Sequence, residues 1–330
     1  MRELEEKREK GAGAKPLWES ATDFYWKHLM IRCGSPACSL RLNLQPALLA
    51  RFRGIHFNRR WYHDIACLQD ALLAQLKRQL MTTGRASQRP HRMPIGLLLV
   101  KRGAITPGEL RDGLRLQREA GTGKLGYWLR QFTALDEDQI CAALGQQWGC
   151  PVFPLDRQTA PLVTRNAPPY LLFAAAKAVP AFTTLDGRQW HIAFSERIDH
   201  SLLYALEEIL ECRTLACVAR ESAVNEALEL FQKHASSSEN CFDSVRDPVE
   251  MAATICSYAA QMDARQVKTV RAAGYLWAAF FQRGARRDLL FQLPPETRRS
   301  LLEQPSAVCK AIPALADMRK DSVRDARELP

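Results

Sequence analysis

Between Pro94 and Gln147 the chain repeats itself at an offset of thirty positions, so its fold must accommodate two like units in tandem. The first copy reads Pro94-Ile95-Gly96-Leu97-Leu98-Leu99, followed by Gly103, Leu110, Leu114 and Gln117. The second reads Lys124-Leu125-Gly126-Tyr127-Trp128-Leu129, followed by Ile140, Leu144 and Gln147. Each copy predicts a short helix, a tight turn and a longer helix. Thr106-Pro107-Gly108-Glu109 supplies an N-cap, a proline at the first helical position and the glutamate of a capping box. Asp136 to Gln139 holds the same place in the second copy. Gly103 suits a left-handed helix stop; Thr133 stands in its place thirty residues on, which predicts a turn built differently. Leu110, Leu114 and Gln117 fall on one helix face.

Downstream the period changes. Pro151 to Pro154 predicts a short strand and Pro169 to Ala178 a helix. Val179–Thr184 and Gln189–Phe194 flank an Asp186-Gly187 step, a hairpin signal. Ser201–Glu211 predicts a helix, Thr214–Ala219 a strand and Ser222–Gln232 another helix. The expected class is α+β: tandem helix-turn-helix repeats packed beside a small α/β layer, with mainly helical flanking regions.

The doubled motif resembles the MshEN domain, the N-terminal domain of type II secretion and type IV pilus ATPases (the GspE N-terminal family), which also occurs in phage-adsorption glycosyltransferases. The first copy matches at Ile95, Gly96, Leu99, Gly103, Leu110, Leu114 and Gln117; the second matches at Leu125, Gly126, Leu129, Ile140, Leu144 and Gln147. The downstream half fits as well, with Val179-Pro180-Ala181 and His191-Ile192-Ala193-Phe194 at the family's strand positions, so the likeness covers about 94–231. The resemblance implies cyclic di-GMP as the ligand, lying along both motifs. It implies glycine amides near the phosphates, a leucine and isoleucine bed under the guanines, and hydrogen bonds from Gln117 and Gln147. The arginine that opens each family motif is here Pro94 and Lys124, and the spacer between copies is about one residue longer than usual. Lysine offers a point charge where arginine offers a two-pronged fork. Arg92 is the guanidinium nearest to Pro94 in sequence.

Function follows in two versions. The first is a non-catalytic bacterial regulatory module that binds cyclic di-GMP and signals to a secretion, pilus or exopolysaccharide machine. The alternative is a protein–protein adaptor of the secretion-ATPase N-terminal type, without nucleotide, docking on an inner-membrane platform or other envelope-machine protein. An enzyme is not expected. There is no GxxxxGK[ST] loop, no G-x-S-x-G elbow and no H-E-x-x-H helix. Gly121-Thr122-Gly123-Lys124 lacks the spacing and the hydroxyl of a phosphate loop, and Asp136-Glu137-Asp138 reads as a capping cluster. No cofactor is expected.

A net charge of +10 favours anionic partners. Arg51-Phe52-Arg53 and Arg59-Arg60-Trp61-Tyr62 interleave cations with rings, a composition that stacks on nucleic-acid bases, but a helix burying its rings is the preferred reading. Ten cysteines include Cys33 with Cys38 and Cys212 with Cys217, each five apart. With no CxxC pair and no His-x3-5-His tract, no metal site is expected. Without a signal peptide or a membrane-long apolar run, the chain reads as cytoplasmic with reduced thiols, peripheral to the inner membrane at most. The expected divisions are a charged tail at 1–15, a helical basic region at 16–90, and the repeat-bearing domain at 91–234, divided at 94–147 and 150–232. A helical region at 248–318 and a charged tail at 319–330 complete the chain.

Overall fold

Two capping boxes start the long helices of the repeats as their sequence requires. In the computed structural model, Thr106 Oγ1 accepts from the Glu109 amide while the Glu109 carboxylate accepts from the Thr106 amide; Asp136 and Gln139 make the same exchange. The structure describes residues 31–38, 41–42, 54–81, 92–155, 167–184, 186–234, 240–243, 245, 247–282 and 285–294. All but Pro294 lie in one unit, Met1–Leu293. Expectations for both charged tails, the Trp18–Met30 helix, Arg51 to Arg53, most of the linkers at 84–92 and 235–247, and the Pro294–Glu303 helix fall almost wholly outside the described residues.

The repeats form α2 (Ile95–Lys101), α3 (Pro107–Ala120), α4 (Leu125–Arg130) and α5 (Glu137–Trp148). Their core holds the same positions of each copy: Leu99 with Leu129, and Ile105 with Leu135, all buried. The turn differs as expected. Gly103 takes φ 70°, whereas the Thr133 hydroxyl donates to the Leu129 carbonyl at 2.7 Å.

The α/β half follows as α6 (Tyr170–Ala176), β5 (Ala178–Thr183), β6 (Gln189–Phe194), α7 (His200–Leu210), β7 (Arg213–Val218) and α8 (Glu221–His234). β5 and β6 form the predicted hairpin, and β7 joins β6 in parallel. The expected strand at 151–154 is reduced to a single bridge between Val152 and Val218. Val179, Ile192, Phe194, Leu202, Leu206 and Phe231 fill the core of this half.

The flanks depart from expectation. Among the described residues they are not mainly helical: they meet in one six-stranded sheet ordered β4-β3-β9-β10-β11-β8. Its strands are β3 (Ile55–Phe57), β4 (Arg60–Tyr62), β8 (Asn240–Phe242), β9 (Gln266–Ala272), β10 (Tyr275–Gln282) and β11 (Ala285–Gln292). β3 lies parallel to β9, and β8 parallel to β11. A separate two-residue pair, β1 (Ile31–Arg32) with β2 (Arg41–Leu42), precedes them. Helices α1 (Ile65–Met81), within the region at 16–90 expected to be helical, and α9 (Pro248–Gln261) cover one sheet face. There Leu68, Leu72 and Leu76 meet Met251, Ile255, Leu276, Ala278 and Phe280. On the other face Val270, Trp277, Ala279 and Leu290 share the core of the α/β half, with α7 across β9.

Two local causes explain the miss. β10 buries both faces, so Tyr275 to Phe281 shows no alternation and imitates a helix segment. In the region at 248–318 that was expected to be helical, the helix from Pro248 stops at Gln261. The hairpin turns carry unobvious residues: Asn58-Arg59 and Ala273-Gly274 are the two-residue loops between paired strands, and all four have positive φ. Arg59-Arg60-Trp61-Tyr62 is therefore turn and strand rather than helix, although its rings are buried and its arginines exposed as expected.

Candidate functional site

The repeats exchange partners. α2 of the first copy packs on α5 of the second, and α4 of the second packs on α3 of the first. The two motif glutamines tie this exchange. Gln147 Nε2 donates to the Met93 carbonyl at 2.8 Å, and Gln117 Nε2 donates to the Gly123 carbonyl at 2.9 Å. Met93 and Gly123 each precede the residue that opens a motif, so each glutamine seals the start of the other copy. Glycine at position 96 permits close approach. A methyl there would stand 2.5 Å from Leu110 Cδ1, and one at the equivalent Gly126 would stand 3.1 Å from Ile140 Cδ1.

One groove of about 340 Å³ opens where the second copy meets the α/β half, within the size range of small-molecule sites. Ile95, Leu125, Gly126, Ile140, Leu144 and Gln147 line its repeat side; Ser195, Glu196, Arg197, Ala219, Arg220 and Glu221 line the other. Lys124 stands at the junction. Its ammonium lies 2.8 Å from a Glu196 carboxylate oxygen and 2.6 Å from one of Glu221. Burial pulls the Lys124 ammonium down, but these two carboxylates outweigh it and hold the group above its ordinary value. Glu137, at the start of α5, accepts from both the amide and hydroxyl of Ser222 at 2.8 Å. Burial raises its carboxyl, and the Ser222 hydrogen bonds together with nearby Arg130 bring it below its usual value. Cys141 also lines the groove, but burial and the carboxylates of Asp138 and Glu137 push its thiol up to about 11, so it is protonated and unreactive at neutral pH.

Seven of the fourteen motif positions face this groove: Ile95, Lys124, Leu125, Gly126, Ile140, Leu144 and Gln147. The others do not. Leu99 and Leu129 have no exposed surface and hold the repeat core, so neither forms part of an apolar bed for bases. Gly96 is buried against Leu110, Gly103 makes its turn, Leu114 lies on α3, and Gln117 seals the loop before Lys124. That loop, 121–124, is held by the Gln117 amide and by Trp128 Nε1 on the Thr122 carbonyl at 3.0 Å. Arg92, the candidate replacement for a lost arginine, stacks on Trp148 with its guanidinium carbon 3.7 Å from the ring centre. Trp148 itself lines the groove. The sequence read Glu137 only as part of a capping cluster and did not single out Glu196, Arg220 or Glu221, which come from elements outside the motif.

A second gathering of side chains lies at the β4 edge of the large sheet, where none was expected. Cys33, Cys38, His63 and Cys67 place their donor atoms within 4.8 Å of one another. His63 Nδ1 is 3.4 Å from Cys33 Sγ and 3.6 Å from Cys38 Sγ, while its Nε2 is 2.9 Å from Asp64 Oδ2. The cysteines are thiols here, not a disulfide. Burial pushes the Cys33 thiol up, but hydrogen bonds from the His63 side chain and from the Ser35 and His63 amides bring it down to about 7. Burial, together with the neighbouring thiols and Asp64, pushes Cys67 up to about 12. The sequence signal was present as Cys-x4-Cys and His-x3-Cys. It was missed because the two halves come from different elements.

No family model matches the chain, and no curated protein matches it. Among solved structures it is similar to that of MshE with cdg, at 25% identity and a TM-score of 0.34, over 42% of this chain and 99% of that one. It is similar also to the N-terminal domain of XpsE in two crystal forms. Identities are 16% and 18%, TM-scores 0.31 and 0.25, over 41% of this chain and 91% and 92% of those chains. Among the described residues no helix is long and apolar enough to cross a membrane.

Proposed function

We propose that residues 92–234 form an MshEN-like sensing module that binds cyclic di-GMP in the groove between the second repeat and the α/β half. Its occupancy is passed to a secretion, pilus or exopolysaccharide machine, and the module performs no chemistry of its own. The observation that carries this reading is the convergence of Ile95 from the first copy with Lys124, Gly126, Ile140, Leu144 and Gln147 from the second in one groove. The apolar floor suits a purine face. Lys124 and Arg220 at the wall suit a phosphate, whose arrival requires Lys124 to exchange Glu196 or Glu221 for the ligand. Binding therefore pulls on the ion pair that ties the repeats to the α/β half.

Calorimetric titration of the full chain with cyclic di-GMP, with GTP and cyclic di-AMP as controls, tests this. Selective binding with Kd in the micromolar range or below is expected. Lys124→Ala should weaken it about tenfold or more, the scale of one charge-assisted contact. Glu221→Gln should tighten it by removing one of the two carboxylates that compete with the ligand for the ammonium. Absence of both heat and thermal stabilisation at millimolar ligand sinks the reading. The adaptor alternative draws on a separate observation, that Lys124 is already neutralised within the fold by two carboxylates. Under it the ion pair is structural, and both substitutions lower stability without touching any nucleotide affinity.

A further inference from the structure

We propose that Cys33, Cys38, His63 and Cys67 bind one zinc ion as a closed structural site, pinning the β1–β2 pair to β4 and to the start of α1. Zinc bonds of about 2.3 Å to sulfur and 2.0–2.1 Å to nitrogen at tetrahedral angles place sulfur about 3.5 Å from nitrogen. The two observed separations, 3.4 and 3.6 Å, bracket that edge.

The orientation of His63 suits a metal ligand. The Nε2 nitrogen of His63 faces the Asp64 carboxylate at 2.9 Å, which turns Nδ1 toward the two sulfurs. Nδ1 thus stands between two sulfurs, and a cation placed there is ligated by all three atoms. A carboxylate behind a ligating histidine is the usual outer support of such sites. Asp64 is itself fixed by the Cys67 amide, 2.7 Å from its other oxygen.

The donor set selects the ion. Three thiolates and one imidazole are soft ligands that favour tetrahedral zinc, and with four protein ligands no position is left for substrate. The location gives the site its work. Cys33 and Cys38 bound the loop between the two-residue strands β1 and β2, too little pairing to stand alone. Gly34 donates to the Trp61 carbonyl at 2.8 Å, so the loop lies against edge strand β4, while His63 and Cys67 bracket the entry to α1.

The test uses the full chain. Purified protein should contain one zinc per chain by elemental analysis. Replacement with cobalt should give the visible d–d bands of a tetrahedral site and thiolate charge-transfer absorption. The double variant Cys33→Ser, Cys38→Ser should lose both signals, whereas Cys241→Ser should keep them. His63→Cys provides a second arm that guards against a misfolded double variant: it retains four donors and should keep the metal with stronger charge-transfer absorption. Asp64→Ala should bind about 10–100-fold more weakly. Metal-free protein that takes up neither zinc nor cobalt overturns the proposal. So does a Cys33–Cys38 disulfide in the metal-free native protein, or unchanged metal content in a folded double variant.

Discussion

Gln117 and Gln147 make the same bond in opposite directions, but only Gln147 also lines the groove. That asymmetry separates structure from binding. Either Gln→Ala change should lower stability by about 0.5–1.5 kcal/mol, the net worth of one hydrogen bond, as measured by urea unfolding. Only Gln147→Ala should also alter ligand affinity. Glu137 gives a prediction in pH. Its carboxyl sits below its ordinary value in the folded chain, so its contribution is full above the unfolded pKa and is lost as pH falls through the folded one. Glu137→Gln should therefore lower Tm at pH 7, and the gap to the parent should close on acidification below about pH 4, the ordinary carboxylate range. A gap that persists unchanged to pH 3 would assign the loss to packing. The glutamines and glycines of the motif were legible as special positions, but which partner each would meet was not. Sequence offset gives equivalence between copies and says nothing about their exchange.

Elements were legible where their ends were marked and one face stayed wet. Both capping boxes and the Asp186-Gly187 hairpin fall close to where local chemistry put them. β10 did not, because its consecutive residues serve two cores. Leu276 faces α1 and α9, while Trp277 faces the α/β half. Leu276→Ala should cost about 2–5 kcal/mol in a chemical melt, as buried leucine truncations do. Trp277→Phe keeps most of the volume but removes the indole N–H that donates to Asp288 at 2.9 Å. Burial already raises the Asp288 carboxyl, against the pull of Arg286 and of that indole. The change should cost about 1–3 kcal/mol for an acceptor stripped of one partner, with Arg286 still in place. A cost below about 0.5 kcal/mol would mean that water reaches the carboxylate.

At the scale of the whole molecule, the repeat-bearing segment is an insertion. The chain leaves the large sheet after α1, builds the repeats and the α/β half, and returns at β8 to finish the sheet it began. Lys268 on β9 reaches the C-terminal end of α7, bonding the Glu208 carbonyl at 2.8 Å and the Glu211 carboxylate at 2.7 Å, so host and insert are fastened along that helix. None of this was readable from composition, since parallel pairing between distant segments leaves no local mark. The pairing of His56 with Gln266 also has a consequence in time. During synthesis β3, β4 and α1 emerge well before α9 and β9, which follow only after the whole insert has been made. Closing so distant a contact is slow. Until then Leu68, Leu72 and Leu76 lack the α9 and sheet partners that bury them, so the early segment carries an exposed apolar face while the insert is being made.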